Sequence, residues 1–261
     1  MNRFQDLDAG PGHRVEGYLD TVRRLHASHT GPLEAAVRAD PGLSVLDVGC
    51  GVGGRLLELA RAGHRGELVG IDRSELVLAE ARRRCAAEGH AVTFVHADAA
   101  DSEFDADFDL VHSERVLIHV EDVETVVAAY RRAVKVGGKV IVSEPHASAL
   151  AVNAPDIPLT NAVFGHAHAS LRNPWVSARL PSLLRAAGFA DVSTTGWVGI
   201  TESLPDFDRM LQLTRWSEAA VAAGSVDAGG RDRWHAQLES AQRRGEFLGS
   251  WTVFTSQGTR A

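Results

Sequence analysis

From residue 44 onward, short apolar runs alternate with stretches of helical periodicity, the pattern of a parallel sheet covered by helices. The runs at 44–48, 67–72, 92–97, 108–113 and 139–144 read as strands, and those at 55–62, 75–88 and 123–136 read as helices. Ser74 and Asp122 stand where they can cap the second and third helices, and Gly89 and Gly137 where they can end them. After Pro145 the rhythm breaks, and residues 146–176 are rich in His, Ala, Asn and Pro without a strand-like run. Alternation resumes with a helix over 176–187, stopped by Gly188, and a strand near 191–198. Helical stretches at 204–223 and 228–244 precede a closing strand over 246–256, rich in β-branched and aromatic residues. The expected architecture is α/β: a doubly wound, mostly parallel sheet of seven strands with helical lid insertions. Its core would comprise 31–145, 177–199 and 246–261. An N-terminal helical lid (1–30), a lid insertion (146–176) and a helical insertion (200–245) would complete it.

The first strand runs straight into Gly49-Cys50-Gly51-Val-Gly53-Gly54 and then into a helix. Glycines there let the backbone turn sharply beside a ligand, and the helix start offers unpaired N–H groups at a positive dipole end. Taken as bare spacing, Gly49-x-Gly51-x-x-Gly54 also fits a dinucleotide fingerprint, with Asp72 available for a ribose. Three features weigh against a nicotinamide oxidoreductase. Asp47, inside the first strand, would repel a pyrophosphate but tolerate a cation. Neither Tyr18 nor Tyr130 is followed four residues later by lysine. Asp98, closing the third strand, places a third carboxylate along the same edge.

Composition narrows the partners. The 261 residues carry a formal net charge of −7, which disfavours a nucleic-acid-binding surface, since that needs clustered Lys and Arg. Two cysteines do not make a disulfide framework. The polar first 17 residues lack the apolar core of a signal peptide, and no run approaches the roughly 18 apolar residues of a membrane span. A cytoplasmic protein, a monomer or homodimer without a membrane or nucleic-acid partner, is expected.

Leu46-Asp-Val-Gly-Cys-Gly-Val-Gly53, Asp72, Ala97-Asp98, Phe108-Asp-Leu-Val111 and Val136-Gly-Gly-Lys139 resemble the successive motifs of class I S-adenosylmethionine-dependent methyltransferases. The resemblance covers residues 40–145. It continues more loosely from Arg172-Asn-Pro-Trp175 to Leu184-Arg-Ala-Ala-Gly-Phe189, which look like bacterial small-molecule, natural-product-type enzymes. It implies a Rossmann-like methyltransferase fold, S-adenosyl-L-methionine as cofactor and a small-molecule acceptor, methylated on O, N or C in secondary metabolism. A binding protein that uses the same cofactor without methyl transfer, such as a cyclase, stands as the alternative. By the resemblance, Gly49, Cys50, Gly51 and Gly53 would approach the aminoacyl part of the cofactor, with Asp47 near it. Asp72 would take the ribose hydroxyls, Arg73 would cover an adenine face, and Asp98 and Ala99 would bind the adenine edge. Ser113 would offer its carbonyl, and Tyr18 would belong to a helix that closes over the cofactor.

Histidine is the side chain suited to deprotonating an acceptor near neutral pH. His119, His146 and Glu144 beside it are the candidate catalytic residues, all near the carboxyl edge of the sheet. His112 reads as packing. The pair His166 and His168 lacks an obvious set of partner ligands, so no metal is expected. Trp175, Trp197, Trp216, Phe164 and Met210 fit either an apolar acceptor pocket or the packing of the insertions onto the sheet.

Overall fold

The computed structural model describes Thr21, Leu25, residues 31–101 and residues 103–261. Tyr18, and all but those two residues of the expected 1–30 lid, lie outside the described residues. In chain order the elements are α1 (Pro32–Ala39), β1 (Val45–Val48), α2 (Gly54–Arg61), β2 (Leu68–Asp72), α3 (Glu75–Ala87), β3 (Thr93–His96), β4 (Phe108–Glu114) and α4 (Val123–Ala133). There follow β5 (Val134–Pro145), β6 (Ala151–Val152), α5 (Ile157–Ala169), α6 (Val176–Ala186), β7 (Phe189–Thr201), α7 (Leu204–Leu211), α8 (Leu213–Ala222), α9 (Ala228–Arg243) and β8 (Gly249–Arg260).

The sheet runs β3-β2-β1-β4-β5-β8, with β1 to β5 parallel and β8 antiparallel to β5. The doubly wound, mostly parallel sheet expected from the alternation is therefore present. It has eight strands rather than seven, because the two-residue β6 continues the β5 edge of β8 while β7 pairs along the other edge. Leu33, Leu56, Leu57, Leu78 and Ala81 of α1–α3 pack on one face with Val45, Leu110 and Ile141. Val126, Tyr130, Leu180 and Leu184 of α4 and α6 pack on the other with Leu46, Val111 and Val142. Adjacent positions of each strand are buried on opposite faces, as a sheet covered on both sides requires.

Several boundaries differ from the sequence reading for identifiable reasons. The helix expected to reach Val136 stops at Ala133, because Lys135 leaves it to meet Asp109 at 2.9 Å and Ser44 at 3.2 Å beneath β1 and β4. Asp122 caps α4 by accepting from the Thr125 N–H at 3.0 Å. Ser74 sits at the start of α3 without a side-chain capping bond; its own N–H donates to Asp72 instead. The stretch over 204–223 is two helices, broken at Gln212 in a left-handed conformation (φ 60°). That turn lets Phe207 and Met210 of α7 and Leu213 and Ala220 of α8 enter one core. Residues 146–176, expected as a lid insertion without a strand, contain the two-residue β6 and helix α5, which Asp156 caps through the Leu159 N–H at 3.0 Å.

A second core lies beyond the carboxyl end of β5. Helices α5, α7, α8 and α9 close with the first half of β8 around Trp234, Phe207, Phe247 and Trp251. The Trp234 indole N–H donates to Thr160 Oγ1 at 2.9 Å, so its one polar atom is satisfied in the interior. No helix among the described residues is long and apolar enough to cross a membrane.

Candidate functional site

A cleft of about 590 Å³ opens at the carboxyl edge, where β1, β2, β3 and β4 end. Ligands of open α/β sheets bind at this edge, and the volume lies in the usual range for small-molecule sites. Gly49, Asp72, Arg73, Ala97, Asp98 and Ala99 line one side of it, and Arg115, Val116, His119 and Val120 line the other.

The glycine loop is shaped by backbone demands. Gly49, Gly51 and Gly53 all have positive φ (72°, 53° and 70°), a region side chains rarely tolerate. A Cβ on Gly49 would lie 2.3 Å from Val116 Cγ2, so the loop touches the opposite wall only because that carbon is missing. Gly53 is the N-cap of helix α2, which has no side-chain cap and no acidic residue in its first turn. Asp72 stands at the tip of β2. One carboxylate oxygen accepts from the Gly51 N–H and the other from the Ser74 N–H, each at 3.0 Å. A carboxylate has about four acceptor directions, so roughly two remain. Burial raises the Asp72 pKa above the usual aspartate range, against the pull of those two N–H donors. Asp98 accepts from the Ala100 N–H at 2.9 Å, which fixes the turn after β3.

Three residues expected at the cofactor point their side chains elsewhere. Asp47 is buried and meets His112 Nδ1 at 2.7 Å, because the parallel register of β1 and β4 sets the two side by side. The Cys50 thiol packs beneath the loop against Gly70, and burial holds its pKa well above the ordinary thiol value. Ser113 Oγ turns to the Tyr130 hydroxyl at 2.8 Å on the α4 side. For Cys50 and Ser113, a contact with a ligand in the cleft would fall to the backbone.

The candidate catalytic residues are also separated. His119 lines the cleft. Glu144 is fully buried beneath the turn after β4, where its carboxyl accepts from the N–H groups of Val116 (2.9 Å), Leu117 (2.6 Å) and Ile118 (3.3 Å). Burial lifts its pKa to about 8 against those three donors. His146 bonds Ser177 Oγ through Nδ1 at 3.0 Å and Ser148 Oγ through Nε2 at 3.1 Å, and burial followed by the nearby His168 lowers its pKa. Its ring stacks on Phe254 and approaches Trp175, and His168 meets Trp175 edge-on. Of the five large apolar side chains assigned to the insertions, Trp197, Trp216, Phe164 and Met210 belong to the second core. Trp175 is 52% exposed, beside the two histidines.

Asn173, within the Arg172-Asn-Pro-Trp175 stretch, has no role in the sequence reading. Its Nδ2 donates to the carbonyls of Leu117 and Val120, both at 2.8 Å, and its N–H to that of Ile118 at 3.3 Å. Such a contact, between residues more than 50 positions apart, leaves no periodic signal. The Asn-Pro pair, which favours an extended or turn backbone, is the one local hint.

Comparisons with known proteins identify the family. Residues 45–138, from β1 into β5, match a methyltransferase domain family. The chain is 38% identical over 162 residues to the ubiquinone biosynthesis O-methyltransferase of Thiobacillus denitrificans, covering 59% of this chain and 68% of that protein. It is 31% identical over 245 residues to an uncharacterised 37.1 kDa protein of transposon Tn4556 from Streptomyces fradiae, covering 91% of this chain and 69% of the relative. Other ubiquinone and phosphoethanolamine methyltransferases match over only 21% to 50% of their length. A Geobacter sulfurreducens methyltransferase solved with S-adenosylhomocysteine superposes with a TM-score of 0.52 at 25% identity, over 91% of this chain and 97% of that one. The chain belongs to the class I S-adenosylmethionine-dependent methyltransferases: it is an enzyme of methyl transfer with S-adenosylmethionine as its donor.

Proposed function

We propose that the chain methylates a small-molecule metabolite, in bacterial secondary metabolism, with the donor in the cleft between the glycine loop and the turn after β4. The observation that carries this reading is Asp72, whose two oxygens each hold one backbone N–H and keep acceptor capacity toward the cleft. Asp72 would accept from both ribose hydroxyls. Arg73 would cover the adenine, and Asp98 with the Ala99 backbone would read its edge. Gly49, Gly51 and Gly53, with the open start of α2, would take the aminoacyl end. The donor, when bound, supplies a methyl group on a sulfonium centre, open to in-line attack by a nucleophile.

The protein's part is to align that nucleophile and exclude water from it. Of the three candidate catalytic side chains, His119 faces the cleft and is the one we assign to contact with acceptor or donor. His146 holds two hydroxyls and a lowered pKa, and it borders the acceptor side together with His168 and Trp175. Glu144 is occupied by backbone amides and is not the base. Incubating the protein with methyl-labelled donor and a size-fractionated cell extract tests the acceptor class. Label is expected in the small-molecule fraction, and label in the protein or nucleic-acid fraction would overturn that assignment.

A further inference from the structure

The turn after β4 is held from two sides by residues remote in sequence. From below, Glu144 at the end of β5 collects the N–H groups of Val116, Leu117 and Ile118. From above, Asn173 in the loop between α5 and α6 satisfies the carbonyls of Leu117, Ile118 and Val120. Irregular backbone in a partly buried wall needs such partners, because unpaired amide groups are costly there. The same turn supplies Val116, which presses on Gly49, and His119, which lines the cleft. The loop that carries Asn173 also places Arg172 in the cleft and Trp175 against His146 and His168.

We propose that Asn173 is a positioning residue for methyl transfer, fixing the turn over 116–120 against the glycine loop and thereby setting the acceptor side in register with the donor cleft. This rests on the donor reading given above. Release of Asn173 frees the two carbonyls that hold the turn down, and Val116 then no longer defines the position of Gly49. Donor affinity must fall with it. Aspartate at this position keeps the shape, cannot donate, and sets a carboxylate against two carbonyl oxygens. Alanine removes both bonds without adding charge, and is the variant that remains informative if the aspartate unfolds the loop.

The test uses the full chain and S-adenosylhomocysteine as the probe, below the thermal midpoint of every variant. Asn173→Asp and Asn173→Ala are compared with Leu238→Ala, which creates a cavity in the second core away from the cleft. Calorimetric titration reports affinity, and amide hydrogen exchange reports the turn. Asn173→Asp is expected to bind at least tenfold more weakly and Asn173→Ala at least threefold, both with faster exchange over 116–120. Leu238→Ala is expected to lower the thermal midpoint while its affinity stays within twofold of the parent. The proposal is overturned if the Asn173 variants bind within twofold of the parent despite faster exchange, or weaken no more than Leu238→Ala. Failure of the parent chain itself to bind the probe would instead overturn the donor reading.

Discussion

Around the glycine loop, the cleft is lined by Gly49, Asp72, Arg73 and Asp98, placed by the ends of parallel strands, and Asp72 holds the Gly51 N–H. Beyond β5, the second core closes on Trp234, Phe207, Phe247 and Trp251, with the Trp234 indole held by Thr160 and α5 capped by Asp156. One region is specified by hydrogen-bond geometry and tolerates little change of shape at the loop. The other is specified by volume and can be reshaped by exchanging aromatic residues. The turn over 116–120 borders the cleft and packs into the core of α4 and α6.

That contrast can be pressed hardest at Glu144, which underlies this turn. Its folded-state pKa, about 8, exceeds its ordinary value of 4.5, so the folded protein keeps this proton to a higher pH than the unfolded chain does. Its contribution to stability is therefore fully present below about 4.5 and is lost as pH rises through about 8, by on the order of 4–5 kcal/mol at most. Urea unfolding across this window should show that decline, and Glu144→Gln should flatten it; an unchanged slope in the variant would show that Glu144 is not its source.

Trp234→Ala should cost about 3–5 kcal/mol of stability by emptying the middle of the second core. Its affinity for S-adenosylhomocysteine, measured on folded protein, should be unaltered. Collapse of that affinity would erase the distinction between the two regions. Asp72→Ala should do the reverse, weakening S-adenosylhomocysteine more than tenfold, a loss above about 1.4 kcal/mol, with a smaller change in stability. Titration calorimetry and thermal unfolding on the same samples separate the two effects.

The strand ends around the glycine loop were largely legible in the sequence, and the helices beyond β5 were less so. Gly49, Gly51, Asp72 and Asp98 announce themselves because a strand end, a left-handed turn and an acidic residue recur at short, regular spacing. The side-chain partners of Asp47 and Ser113 leave no local mark, because His112 and Tyr130 lie 65 and 17 residues away. The break at Gln212 carries neither glycine nor proline, so nothing local marked it. Helix α5 did have signals, an aspartate cap at Asp156 and Pro158 in its first turn, within a stretch rich in His, Ala, Asn and Pro. The β8 strand runs to Arg260, past the expected end at 256, because β5 and β7 both pair with it.

The placement of the donor is tested most directly by a crystal structure of the chain with S-adenosylhomocysteine. The ribose hydroxyls are expected within hydrogen-bond distance of both Asp72 oxygens, the homocysteine end against Gly49 and Gly51, and His119 beside the sulfur. A ligand bound elsewhere, or a ribose turned away from Asp72, would contradict the site described here.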